Sequence, residues 1–183
     1  MADLIDRHGH IEHEPAADEF ERLCTSIINQ QLSTASADAV RERVFDLFDG
    51  DVTPEGVLDA DREALRDAGL SRTKVDYVKN AAEAFIERDL TRAGLADHTD
   101  EEVIEELTAI RGVGEWTAHM YLMFVLGRED VLPLGDLGIR KGIERVYGNG
   151  EEMTREEMRE VAERWSPYRT YAMRYIWREY ESD

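Results

Sequence analysis

The sequence feature that most constrains the fold is a short glycine turn between two helical segments. Leu107-Thr108-Ala109-Ile110 has the pattern of a helix end, and residues 115–126 form a long apolar helical segment. Gly112-Val113-Gly114 lies between the two segments. It can form a very short turn, because glycines two apart permit positive φ and close backbone approach. Such a turn leaves backbone N–H groups exposed at the start of the second helix. A phosphate can bind there without a basic side chain.

An aspartate follows this hairpin after a proline- and glycine-containing loop. The loop, DVLPLG at residues 130–135, leads to Asp136 at the predicted start of a helix over residues 137–147. Aspartate is a preferred helix N-cap, so Asp136 could have only that role. A carboxylate held at a fixed position can also take part in chemistry, and the two roles are compatible.

The rest of the chain predicts helices and no strands. Apolar residues recur at helical spacing, and serine or threonine residues stand at the expected N-caps. The fold class is therefore all-α, and 183 residues suit one domain or two intimately packed subdomains. Cys24 is the only cysteine, which excludes an intrachain disulfide and a cysteine-ligated metal site. No signal-peptide pattern or membrane-length apolar run is evident, so we expect a cytoplasmic protein.

Net charge argues against a nucleic-acid partner at first sight. The chain has 41 acidic residues against 22 lysines and arginines, a net charge of −19, whereas DNA-binding proteins usually carry a basic surface. Only three of the basic residues are lysines, and this composition resembles proteins adapted to high internal salt, as in halophilic archaea. At molar salt the Debye length is about 3 Å, so distant repulsion from DNA is largely screened.

Several motifs resemble the helix-hairpin-helix superfamily of DNA glycosylases. They are Gly112-Val113-Gly114, Thr117-Ala118, Leu132-Pro133, Asp136 and Ile139. The segments IINQQLS at residues 27–33 and WSPYR at residues 165–169, with the later Ile176-Trp177, resemble its 3-methyladenine DNA glycosylase II branch. The resemblance covers residues 23–177. It implies two helical subdomains with a cleft between them, one formed by residues 17–30 and 131–183 and the other by residues 31–130. We expect residues 1–16 to be a flexible N-terminus.

The resemblance also implies roles for individual residues. Asp136 would be the catalytic carboxylate, and Gln31, with its neighbours Gln30 and Leu32, would be the wedge that replaces a flipped nucleotide in DNA. The base pocket would be lined by Trp116, Trp177, Met120 and Tyr121. The DNA phosphate contacts would come from Gly112, Val113, Gly114, Thr117, Arg140 and Lys141. A structural Na⁺ or K⁺ could be held by the carbonyls of Thr108, Ile110 and Val113, with no cofactor required for activity.

The implied activity is hydrolysis of the N-glycosidic bond of alkylated bases. Bifunctional members of the superfamily carry a lysine two residues after the second glycine of the hairpin, where this chain has Trp116. We therefore expect base release without strand cleavage, by a nucleoid-associated monomer acting on double-stranded DNA that contains damaged bases. Two alternatives remain open from the residues: a non-catalytic DNA-binding module, and a glycosylase for deaminated or mismatched bases.

Overall fold

The computed structural model describes residues 1–182, and its regular structure in that range is entirely helical, as predicted. Eleven helices occur among these residues: α1 (Ala2–His8), α2 (Glu19–Asn29), α3 (Thr34–Asp46), α4 (Pro54–Asp59), α5 (Arg62–Asp67), α6 (Arg72–Arg88), α7 (Asp100–Thr108), α8 (Glu115–Phe124), α9 (Leu137–Tyr147), α10 (Arg155–Glu163) and α11 (Arg169–Glu181). None of the helices in the described range is long and apolar enough to cross a bilayer.

The chain forms two compact units, one of which is discontinuous in sequence. The terminal unit contains Met1–Pro15 and the chain from Gly127 onward, and the central unit is Ala16–Leu126. These boundaries differ from the predicted ones, because α2 groups with the central helices rather than with the C-terminal ones. The reason is its apolar face: Phe20, Leu23, Ile27 and Ile28 are almost completely buried, and α2 packs against α3, α6 and α8.

The N-terminal residues are also more ordered than expected. Residues 2–8 form α1, which packs against α11 and buries Leu4 to 4% exposure. Arg7 and His8 both bind the carboxylate of Glu179 on α11. Residues 2–8 are thus helical and attached to α11, whereas the sequence predicted a flexible terminus there. Only Leu4 of this short helix is buried, so there is no helical periodicity, and the partners lie about 170 positions away, so local sequence could not indicate the contact.

Helix starts follow the predicted capping residues. The side chains of Ser33, Thr53, Ser71, Thr99 and Thr154 each accept a backbone N–H from the first turn of the helix that follows. In the helices capped by Thr99 and Thr154, the third helical residue is a glutamate. Its side chain accepts the backbone N–H of the cap residue, which completes a capping box. Because these signals span only four residues, they could be predicted from sequence alone.

In the terminal unit, α9 and α11 form a close helix pair. Gly142 allows this approach, since a Cβ at that position would lie 2.5 Å from Cγ2 of Ile176 and 2.9 Å from its carbonyl oxygen. In the first turn of α9, a Cβ on Gly138 would lie 3.3 Å from the indole of Trp177. The packing of α11 on α9 therefore places Trp177 beside the N-terminus of α9.

Candidate functional site

The glycine hairpin between α7 and α8 has the predicted tight geometry. The amide of Val113 donates to the carbonyl of Ile110 at 3.0 Å, and Gly112 has a φ of +105°. A Cβ on Gly112 would lie 2.1 Å from the ring of Tyr77 on α6. Position 112 therefore requires glycine both for its backbone conformation and for the space that Tyr77 occupies.

Gly114 presents an open surface at the start of α8. It is the N-cap of this helix and supplies no side-chain cap, and no atom lies within 4 Å of where a Cβ would be. The first N–H groups of an α-helix have no intrahelical acceptor, and the helix dipole favours an anion at this end. The geometry is suited to a phosphate contact made by backbone groups, as the sequence predicts.

Gln30 differs from its predicted role. Its side-chain amide donates to the carbonyl of Gly112 and to the hydroxyl of Thr117, each at 3.0 Å. Gln30 therefore connects the turn after α2 to the glycine hairpin. A side chain held by these two bonds supports the turn at residues 30–32, called the braced turn below, and is not placed to act as a wedge in DNA.

Lys74 holds the same turn from the other side. Its ammonium group donates to the carbonyls of Ile28 at 2.6 Å and Gln30 at 2.7 Å, so it satisfies carbonyl groups at the C-terminus of α2. Partial burial lowers the pKa of Lys74 from its usual value. The sequence did not assign this capping role, although Lys74 is one of only three lysines in the chain.

The two remaining wedge candidates stand at the surface of this braced turn. Gln31 is exposed with a φ of +57°, and Leu32 is 39% exposed. Ser33 then caps α3. The turn thus presents Gln31 and Leu32 outward while Gln30 and Lys74 fix its backbone.

Three of the predicted site residues on α8 are buried. Thr117, Met120 and Tyr121 are between 1% and 3% exposed, and the Tyr121 hydroxyl donates to the carbonyl of Leu90 at 2.6 Å. Thr117 accepts from Gln30, so it supports the hairpin instead of presenting its side chain to a phosphate. Tyr121 belongs to the core of the central unit, whereas Trp116 is partly exposed near the start of the helix.

In the terminal unit, Asp136 is the N-cap of α9 and also contacts Trp177. Its Oδ1 accepts the backbone N–H of Ile139 at 2.9 Å and the indole Nε1–H of Trp177 at 3.0 Å. The sequence predicted the cap and placed both side chains in the site, but it did not predict their hydrogen bond. Two donors on Oδ1 hold this carboxylate oxygen in position.

Arg140 and Lys141 make contacts within the terminal unit. Arg140 donates to the carbonyls of Leu134 and Gly135 at 2.9 and 3.1 Å, which holds the loop that ends at Asp136. Lys141 pairs with Glu144 at 2.7 Å. Arg140 therefore holds the loop that leads to Asp136, a role that the predicted phosphate contact did not include.

The loop before Asp136 is also fixed at its other end. Asp130 accepts from Arg169 through both carboxylate oxygens, at 2.6 and 2.9 Å, and from Ser166 at 2.9 Å. The hydrogen bonds from Arg169 lower the pKa of Asp130 below its usual value. Both ends of the six-residue loop are thus held by side-chain contacts within the terminal unit.

The described residues contain no side-chain cluster suited to a metal ion. No cluster of three or more histidine, cysteine or acidic side chains that could hold a metal occurs among residues 1–182. The predicted monovalent cation would instead use backbone oxygens of the hairpin. One of these, the carbonyl of Ile110, already accepts the Val113 amide, so a cation would have to share it.

Comparison with known proteins covers most of the chain. A family model described as HhH-GPD superfamily base excision DNA repair protein matches residues 24–167. DNA-3-methyladenine glycosylase 1 of Schizosaccharomyces pombe is 35% identical over 162 residues, which are 87% of this chain and 71% of that protein.

Two solved structures are similar over nearly the whole chain. A 3-methyladenine DNA glycosylase of Schizosaccharomyces pombe, in complex with abasic DNA, superposes with a TM-score of 0.88 at 33% identity, covering 97% of this chain and 89% of that one. A DNA-3-methyladenine glycosidase from Bacillus halodurans superposes with a TM-score of 0.83 at 37% identity, covering 99% and 84%.

Proposed function

Since this chain belongs to the HhH-GPD superfamily of base excision DNA repair proteins, we propose that it is a DNA glycosylase that releases alkylated bases from double-stranded DNA. The observation that carries the proposal is Asp136, a carboxylate fixed by two donors at the start of α9, one of them the indole of Trp177. Two relatives that are identical to this chain at more than a third of the aligned positions are named 3-methyladenine glycosylase and 3-methyladenine glycosidase. We infer the same substrate class here.

Asp136 would stabilise the transition state of base release. Cleavage of the N-glycosidic bond develops positive charge on the sugar, as in glycoside hydrolysis. A carboxylate beside the anomeric carbon stabilises that charge and can position or deprotonate the attacking water. Its orientation is set before substrate binds, because Ile139, Trp177 and the Arg140-held loop all constrain it.

The two tryptophans would select for electron-poor bases. An alkylated purine carries positive charge, so it leaves without a strong general acid. Cation–π attraction favours its stacking on an indole ring. Trp177 and Trp116 are both partly exposed in their own units, which is what a stacking surface requires. Selection by stacking needs few hydrogen bonds, so we expect a broad range of alkylated substrates.

The hairpin and the braced turn would hold the DNA. Backbone N–H groups at Gly114 would bind a phosphate, and Gln31 or Leu32 would enter the space left by the flipped nucleotide. If the hairpin holds a monovalent cation, the carbonyls of Thr108, Ile110 and Val113 would be its ligands. It would then supply positive charge beside that phosphate.

We further propose that the protein is monofunctional and belongs to the 3-methyladenine glycosylase II branch. Strand cleavage by a Schiff-base route requires an amine at the position of Trp116, and indole cannot form the imine. The reaction would therefore stop at an abasic site.

A product assay tests this proposal. Methylated duplex DNA is incubated with the protein, released bases are identified by chromatography, and strand breaks are counted before and after alkali. Release of methylated purines with breaks only after alkali supports the proposal. Breaks before alkali would contradict monofunctional chemistry, and release of hypoxanthine alone would assign the protein to deaminated bases. DNA binding without any base release would indicate a binding module.

A further inference from the structure

The terminal unit contains an open cavity of about 670 Å³ that the proposed catalytic site does not use. It lies between the N-terminal segment and α11, and its lining is mostly basic and polar: Arg7, His8, His10, Ile11, Glu12, Arg174 and Arg178. In a chain whose net charge is −19, a cavity with three arginines is an exception to the general charge distribution.

Hydrogen bonds hold the N-terminal segment in the position that forms the cavity. The Tyr175 hydroxyl donates to the carbonyl of Gly9 at 3.1 Å and accepts the amide of Ile11 at 3.4 Å. Arg174 contacts Nδ1 of His13 at 3.1 Å. Because a guanidinium group can only donate, Nδ1 of His13 accepts this bond. The walls of the cavity are therefore attached to α11 at two positions.

The charges around the cavity favour an anion. Glu179 is engaged by both Arg7 and His8, and these contacts lower its pKa. Three arginines and Glu12 line the cavity, and Glu179 binds Arg7 beside it, so these five side chains carry a formal charge of +1. Burial lowers the pKa of Arg174, and the nearby charge of Arg178 lowers it further. An anion placed between these two guanidinium groups would relieve their repulsion.

We propose that this cavity is a phosphate-binding site in which Arg174 and Arg178 are the principal ligands. The two residues are four positions apart on α11, so they lie on the same side of the helix, about 6 Å apart along its axis. Arginine is suited to phosphate because its planar fork can donate two parallel hydrogen bonds. Arg178 is exposed, so its guanidinium can reach an anion from solvent.

The location indicates where the phosphate comes from. Trp177, whose indole contacts Asp136, lies between Arg174 and Arg178 in the sequence of α11. A phosphate in the cavity would therefore lie within about one helical turn of a residue of the proposed catalytic site. A backbone phosphate of the DNA strand fits this position, and that source rests on the proposed function. Free inorganic phosphate has the same chemistry and is the second source to test.

The test measures affinity for undamaged duplex DNA across a series of potassium chloride concentrations. Each phosphate contact contributes about 0.9 to the slope of log affinity against log salt. Arg178→Gln should lower the slope by about this amount. Arg155→Gln is the matched control, because Arg155 is exposed on α10 in the same unit, does not line the cavity and changes net charge equally. Circular dichroism checks that both variants fold.

Inorganic phosphate is tested separately by titration calorimetry. A reduced salt slope in Arg178→Gln alone supports a DNA phosphate in the cavity. An unchanged slope, with inorganic phosphate binding that Arg178→Gln abolishes, supports the site with the free anion as its ligand. If both variants match the wild type in both measurements, the proposal is overturned. Neither readout depends on base release, so failure of the proposed catalytic function would be seen separately.

Discussion

At the residue scale, two neighbouring glutamines have opposite environments. Gln30 bonds the hairpin through Gly112 and Thr117, whereas Gln31 is exposed at a φ of +57°. The sequence grouped them because both fit the wedge motif. It could not distinguish them, since the partners of Gln30 lie 82 and 87 positions away.

Alanine at each glutamine should therefore have different effects. Gln30→Ala removes two hydrogen bonds of about 1 kcal/mol each. We expect thermal unfolding at a midpoint several degrees lower. Gln31→Ala changes no internal bond and keeps a Cβ at the same backbone position, so the midpoint should stay the same while base release from duplex DNA slows. Calorimetry and a base-release assay check both. Equal unfolding midpoints for the two variants would contradict the supporting role of Gln30.

The contact between Trp177 and Asp136 can be tested with a smaller change. Trp177→Phe keeps an aromatic surface but removes the Nε1–H that donates to Asp136. A hydrogen bond to a charged group contributes about 1.5–3 kcal/mol, so we expect kcat to fall by roughly tenfold to a hundredfold. KM should change less, because the ring is retained. Steady-state kinetics separate the two, and a loss confined to KM would argue that the indole only stacks on the base.

At the element scale, local signals predicted far more than distant contacts did. The hairpin, the loop before Asp136 and the helix caps are defined by residues within a few positions of each other, and they were predicted correctly. The helix α1 and the grouping of α2 with the central unit were not. Both depend on packing against helices far away in sequence. Local sequence patterns do not indicate such contacts.

The loop that delivers Asp136 depends on an ion pair at its start. Because hydrogen bonds from Arg169 lower the pKa of Asp130 in the folded state, this pair adds stability above the pKa of an unfolded aspartate. The contribution is lost as pH falls through the lowered pKa, so stability should rise with pH across the acid range. The pair is partly exposed, so we expect Asp130→Asn to lower the free energy of unfolding by only about 1 kcal/mol at neutral pH.

Urea unfolding at several pH values checks this. The difference between Asp130→Asn and wild type should shrink toward acid pH, where Asp130 is neutral in both states. Asp38→Asn is the control, because Asp38 makes a more exposed pair with Arg41 within one helix. A pH-independent difference for Asp130→Asn would show that the loop is held by other contacts.

At the scale of the whole molecule, the negative net charge opposes binding to the proposed partner, DNA. A net charge of −19 repels DNA at low salt and also destabilises the folded state by self-repulsion. Potassium chloride screens both effects. We expect the thermal unfolding midpoint to rise as potassium chloride increases toward molar concentration. A midpoint that is independent of salt would contradict a stability limited by surface repulsion.

Composition alone pointed away from DNA, and motif spacing pointed toward it. The two can be reconciled, because helix N-termini and backbone amides bind phosphate without adding to net charge. Such groups do not register in a count of lysines and arginines. Overall charge was therefore a poor guide to the partner of this fold.

Asp136 is the residue proposed to perform the chemistry. Asn is also a good N-cap, so Asp136→Asn should keep α9 and the fold while removing the carboxylate charge. The measurement is single-turnover release of methylated purines from duplex DNA with protein in excess. We predict a rate lower by about 100-fold or more with DNA affinity retained. A rate equal to that of the wild type would show that Asp136 is only a helix cap and would contradict its catalytic role.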